Sequence, residues 1–141
     1  MITGATAGFG EATARIFAQN GYNLIITGRR NERLIKLKDE LTNKYNVKVN
    51  SLCFDVRDND QVERSLNSLS DKWRNIDVLI NNAGLAAGFS TIDNGSLDDW
   101  EKMIDTNIKG LLYVSRNILP VMKAKKSGHV INVGSVAGKE T

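Results

Sequence analysis

Short apolar runs alternate with longer stretches of helical spacing, and this alternation constrains the fold more than any other feature. The runs are Tyr22–Thr27 (YNLIIT), residues 47–54, Ile76–Ile80 (IDVLI) and His129–Val133 (HVINV). Each has strand length and strand composition. Met1–Thr3 reads as the stub of one more. The first helix is expected from Phe9 to Asn20, with Ala12, Ile16 and Phe17 on one side and Gly21 as its stop. Asn31 is expected to cap the second helix, whose stripe is Leu34, Leu37 and Leu41. Val62, Leu66, Leu69 and Trp73 recur at helical spacing, and helical sequence resumes near Leu97. Pro120 falls inside that last stretch, at a kink or in its final turns.

Strands alternating with helices imply a parallel sheet covered on both faces. Right-handed crossovers then make a Rossmann-type doubly wound α/β fold, three layers deep, the first choice. No linker or low-complexity segment interrupts the 141 residues, so 1–141 reads as one domain.

Composition excludes several functions. Nineteen basic and sixteen acidic residues give a net charge of +3, spread without a basic block, which argues against a nucleic-acid partner. No apolar run approaches the roughly 18 residues of a membrane span. Cys53 is the single cysteine, so an internal disulfide is impossible and a reducing, cytoplasmic setting is expected. With His129 the single histidine, neither a histidine-rich metal site nor a Ser-His triad is expected.

Thr3–Gly10 (TGATAGFG) follows the first strand stub and opens a helix. Ligands of open α/β sheets bind at the carboxyl ends of strands, where N–H groups and a helix dipole favour phosphate. A nucleoside-triphosphate loop would need Lys and Ser/Thr after its last glycine, and Gly8 is followed by Phe9, Gly10 and Glu11 instead. G-x-G-x-x-G also fails, because Thr13 stands where its third glycine belongs. The spacing present is Gly4, Gly8, Gly10, which binds phosphate or serves as a turn packing a helix onto a strand.

At that spacing the chain resembles the short-chain dehydrogenase/reductase family, which uses T-G-x-x-x-G-x-G for a dinucleotide pyrophosphate. Four further motifs follow in the family's order: Asp55-Val56 after the third strand, Asn81-Asn82-Ala83-Gly84 after the fourth, Asn107 in DTNIKG, and Ser135 after HVINVG. The resemblance implies that Gly4, Ala5, Thr6, Ala7, Gly8, Phe9 and Gly10 hold the pyrophosphate. It implies that Asp55 and Val56 meet the adenine, and that Asn82, Ala83 and Gly84 line the cofactor. It implies that Ser135 polarises a carbonyl and that Asn107 keeps a proton-relay water. Asp55 and Asn82–Gly84 could otherwise be turn residues, Ser135 a strand-end cap, and Asn107 a helix polar group satisfied by backbone.

The second strand ends in Gly28-Arg29-Arg30, with no carboxylate before Glu32. A guanidinium suits the 2′-phosphate of NADP, whereas NAD needs an acid there. NADP is therefore the expected cofactor, the alternative being two solvated arginines on a turn. TGATAGFGEATAR, TGRRNERLIKLKDEL, NNAGLAAG, DDWEKMIDTNIKGLLYV and HVINVGS are similar to the branch acting on small 3-hydroxy acids (serine, allo-threonine, and malonic semialdehyde in reverse). Other carbonyl classes and a non-catalytic NADP-binding protein are the competing readings. Leu85–Gly88 either lines the substrate side or is a plain loop. The resemblance implies a homodimer or, more often, a homotetramer. Its interface would be the helical stretch from about Asp98 to Ala124, with Ile104, Ile108, Leu111, Leu112 and Ile118. The family's Tyr-x-x-x-Lys pair is not found: Ile26, Val49 and Asn117 stand four residues after Tyr22, Tyr45 and Tyr113. The expectation is a cofactor-binding part trimmed at both ends, poorly stable and catalytically silent alone.

Overall fold

The computed structural model describes residues 1–88 and 90–138. Strand β1 (Leu24–Gly28) pairs in parallel with β2 (Val49–Cys53), from Leu24 opposite Val49 to Gly28 opposite Cys53. Strand β3 (Val78–Asn81) pairs in parallel with β4 (His129–Asn132). Ile2 bridges Ile26 on one side and Ile80 on the other, joining the two pairs into one sheet. The Ile2 N–H donates to Ile25 O at 2.9 Å, and the Thr3 N–H donates to Ile80 O at 3.0 Å. From this central segment the chain winds out to β1 and β2, then crosses to β3 and β4 on the other side. The segment is therefore the switch point of the doubly wound Rossmann-type order, whose carboxyl edge is the expected ligand site.

Among the described residues six α-helices cover the sheet: α1 (Gly8–Gln19), α2 (Asn31–Tyr45), α3 (Asn59–Asn67), α4 (Asp71–Arg74), α5 (Leu97–Ile104) and α6 (Gly110–Ala124). Side-chain alternation along the strands feeds two cores. Leu24, Ile26 and Ile80 join Ala14, Ala18, Leu34, Leu37 and Leu41 on the α1–α2 face. Ile25 and Leu79 join Val62, Leu66, Val114, Ile118 and Met122 on the α3–α6 face.

Four local expectations are corrected. The buried stripe of α1 is Gly10, Ala14 and Ala18, while Ala12 and Ile16 are exposed. Small residues let the helix axis approach the sheet beside the glycine turn, so side-chain size, more than hydrophobicity, chose the inner face. Gly21 does stop α1: with φ +80° it donates to Ala18 O, and Tyr22 N donates to Phe17 O, the paired bonds of a Schellman ending. Asn31 is the first residue of α2 and not its cap; Arg30 holds the cap position, with no side-chain cap bond. The stretch through Val62 and Trp73 is two helices, because α3 ends at Asn67 and Ser70 precedes α4. Between α5 and α6, Asp105–Lys109 forms a π-helical turn. Pro120 sits inside α6 and leaves the helix continuous.

Candidate functional site

The glycine turn is shaped by contacts as well as by φ. Gly4 has φ +67°, and a Cβ there would stand 2.8 Å from Ala83 Cα. A Cβ on Gly10 would stand 2.5 Å from Gly4 O and overlap the Asn82 amide. Gly8 differs: at φ +56° it opens α1, with no atom within 4 Å of a Cβ. The turn is thus closed against the loop after β3 and open at Gly8, as a phosphate cradle requires.

Thr3, Asn82 and Ala83 lock the two loops together. Thr3 Oγ1 accepts from Asn82 N and Ala83 N, both at 3.0 Å, and Asn82 Nδ2 donates to Thr3 O at 2.9 Å. Thr3 is fully buried. Its hydroxyl was missed in the sequence, although it begins the motif.

A cleft of about 540 Å³ opens at the carboxyl ends of the strands, a size usual for ligand sites. Of the residues named from sequence, it is lined by Gly4, Thr6, Ala7, Phe9, Arg29, Arg30, Asp55, Val56, Asn82, Ala83 and Gly84. Leu85, expected either on the substrate side or in a plain loop, lines it too, as do Phe54 and Thr106, which carry no sequence signal of a site. Ala5 and Gly10 lie beneath the surface, buried between turn and sheet. A second cleft, near Phe17, Tyr22 and Trp73, opens at the amino ends of the strands, away from every motif.

Arginines dominate one end of the cleft. Arg30 donates from Nε and Nη2 to Thr6 Oγ1, at 3.1 and 2.8 Å. Arg29 turns the other way, with Nη1 3.7 Å from Asp55 Oδ2. Asp55 is the only acid among the described lining residues. Arg57 grips it through Nε at 3.0 Å and Nη2 at 2.7 Å. Burial works against the Asp55 charge, but the Arg57 bonds and the nearby Arg29 outweigh it and hold the carboxyl below its ordinary range. Arg57 was missed as well; its clue was the Asp-x-Arg spacing, which lets the two side chains meet across one turn.

Asn107 lies in the π turn. Its Nδ2 donates to Leu85 O at 2.8 Å, and its Oδ1 accepts from Leu85 N at 2.9 Å. The amide clamps the loop after β3 at Leu85, as Thr3 clamps it at Asn82 and Ala83. Ser135 lies three residues past the end of β4. Since β3 and β4 run parallel in register, Ser135 and Asn82–Gly84 leave the sheet at the same edge. Below them, Asn81 Nδ2 ties the strands together by donating to Ser115 Oγ at 3.0 Å and Asn132 Oδ1 at 2.9 Å.

The sequence matches the short chain dehydrogenase family over residues 1–141. The chain belongs to that family. Its Rossmann sheet and the order of its motifs are those of a short-chain dehydrogenase. It is 54% identical over 138 residues to an NADP-dependent 3-hydroxy acid dehydrogenase of Salmonella typhi, covering 98% of this chain and 54% of that protein. It is 47% identical over 137 residues to a serine 3-dehydrogenase of Agrobacterium fabrum, covering 97% and 53%. The crystal structure of serine dehydrogenase from Escherichia coli superimposes with a TM-score of 0.89 at 51% identity, covering 99% of this chain and 62% of that one. A closed serine dehydrogenase complexed with NADP+ gives 0.89 at 52%, covering 98% and 54%. The chain spans about half the length of the curated relatives it matches.

No helix among the described residues is long and apolar enough to cross a membrane. Among those residues, no three His, Cys, Asp or Glu side chains gather as metal ligands.

Proposed function

We propose that this chain carries the cofactor site of an NADP-dependent oxidoreductase that interconverts a small 3-hydroxy acid and its carbonyl form. The single observation behind the cofactor is the charge of the cleft. Arg29 and Arg30 share it with the glycine turn, and Asp55, the one acid among its described lining residues, is already paired with Arg57. An extra phosphate would meet positive charge there, whereas no described lining residue offers a free carboxylate to a ribose 2′-hydroxyl. The substrate class is that of two relatives 47–54% identical to this chain, a 3-hydroxy acid dehydrogenase and a serine 3-dehydrogenase.

When bound, the nicotinamide would supply or take the hydride. Gly4–Gly10, with the N-terminus of α1, would hold the pyrophosphate. Arg29 and Arg30 would hold the 2′-phosphate, and Asp55 and Val56 would flank the adenine. Asn82, Ala83 and Gly84 would line the path towards the reacting end, where the Ser135 hydroxyl would polarise the carbonyl. Asn107 would act through Leu85, fixing the loop that borders that end; the relay water expected of it would sit nearby. We also assign the intact protein to the cytoplasm as a homo-oligomer.

The test is a substrate panel on the protein carrying this chain. NADP+ should be reduced with serine, allo-threonine or 3-hydroxypropionate, and poorly with steroid or sugar alcohols. Turnover confined to another alcohol class would move the substrate assignment. Tight NADPH binding without turnover of any alcohol would favour the non-catalytic reading.

A further inference from the structure

We propose that Thr6 is a positioning residue for cofactor selectivity: its hydroxyl holds the Arg30 guanidinium at the cleft edge, ready for the 2′-phosphate. The inference rests on the NADP reading above. Thr6 is a buried residue of the glycine turn, and its Oγ1 accepts from both Nε and Nη2 of Arg30. That contact occupies one side edge of the guanidinium. The Nη1–Nη2 edge still carries donors, and it is the edge suited to paired bonds with a phosphate.

A hydroxyl anchor has a specific advantage. It fixes the cation's direction without cancelling its charge, whereas a carboxylate anchor would do both. The neighbouring arginine shows the contrast, since Arg29 leans on Asp55. Consecutive arginines therefore have different surroundings, and Arg30 keeps its full charge for a ligand.

The contact also explains Gly28. A Cβ on that residue would lie 2.7 Å from Thr6 Cγ2, so a side chain at the end of β1 would push the Thr6 side chain from the place where it meets Arg30. Thr6, Gly28 and Arg30 form one device linking the phosphate turn to the end of β1. An untethered arginine would have to give up its rotamer freedom on binding; a tethered one has already done so.

The experiment measures NADPH and NADH dissociation constants by fluorescence titration for the wild type, Thr6→Val, Thr6→Ser, Arg30→Ala and the Thr6→Val/Arg30→Ala pair. Thermal unfolding of each variant verifies folding. Valine keeps the shape of threonine and removes the acceptor; serine restores the acceptor. Thr6→Val should weaken NADPH about tenfold, the scale of a lost charge-assisted hydrogen bond, with NADH changed far less. Thr6→Ser should recover most of the selectivity. In the Arg30→Ala background, Thr6→Val should leave the NADPH-to-NADH ratio unmoved. If Arg30→Ala lowers that ratio and Thr6→Val weakens both cofactors equally, the positioning role is wrong while the NADP reading stands. If Arg30→Ala leaves the ratio unchanged, the Arg30 assignment falls and the positioning role falls with it. Should Thr6→Val unfold the protein, the Thr6→Ser ratio decides: wild-type selectivity supports the role, and a ratio as low as that of Arg30→Ala overturns it.

Discussion

Gly4 and Gly8 share a positive φ for different reasons. At Gly4 a side chain would meet the backbone of Ala83, so alanine there should disrupt the junction of the two loops and destabilise the fold by several times the bare backbone cost. At Gly8 a side chain would meet open space. Alanine there should cost only the left-handed backbone penalty, about 1 kcal/mol, yet intrude where a pyrophosphate would lie. Urea unfolding and NADPH titration should therefore separate them: Gly4→Ala loses stability, whereas Gly8→Ala keeps most stability and loses binding. Equal stability losses would contradict the contact account.

Asp55 supplies the pH dependence at this scale. Its folded pKa lies below its unfolded value, near 3.9 for a free aspartate. The stability linked to its charge is thus present above about pH 4 and lost as pH falls through the lower folded value. Arg57→Gln removes the main opposing cation and leaves burial to favour the neutral acid. The acid limb of the urea-stability profile should then move to higher pH, and the Asp55 carboxyl signal should titrate higher by NMR. An unmoved profile and signal would show that Arg57 does not set the Asp55 charge.

Among the elements, the run from Leu97 to Ala124 reads in sequence as a single helix, because its apolar spacing barely breaks. The structure divides it with the π turn that presents Asn107 to Leu85. One extra residue per turn leaves no compositional trace, so this feature was not legible. The burial of α1 was misread for a related reason: Ile16 is the more hydrophobic residue, but Gly10, Ala14 and Ala18 allow the closer approach. The expected interface set is corrected at Ile118, which is buried in the core. Ile104, Ile108 and Leu112 remain 47%, 55% and 56% exposed, at four-residue spacing along α5, the π turn and α6. That exposed apolar row is the element-scale argument for the proposed oligomer. Replacing Ile108 and Leu112 by glutamate should reduce the sedimentation mass of the intact protein without lowering NADPH affinity in the dissociated form. An unchanged mass would place any subunit contact elsewhere.

At the scale of the whole molecule, sequence carried much of the architecture. Strand composition and glycine punctuation are local signals, and they sufficed for a parallel sheet with its ligand edge at the strand carboxyl ends. The motif residues were also legible: Gly4, Thr6, Arg30, Asp55 and Asn82, distant in sequence, line one cleft. What escaped was the wiring between them. Thr3 to Asn82, Arg30 to Thr6 and Arg57 to Asp55 depend on which side chains the fold brings within 3 Å or so. Periodicity has no access to such distances. The wiring nevertheless shapes the charge of the cleft: it pairs Asp55 with Arg57 and leaves the arginine edge available.

Direct binding tests that charge. NADPH and NADH should be titrated against the intact protein and its Arg29→Ala/Arg30→Ala variant at low and moderate salt. The wild type should prefer NADPH by at least about tenfold, the scale of one charge-assisted contact. The preference should shrink with salt, and the double variant should bind both cofactors with similar affinity. A wild type that binds NADH as tightly as NADPH, or a double variant that keeps the preference, would contradict it.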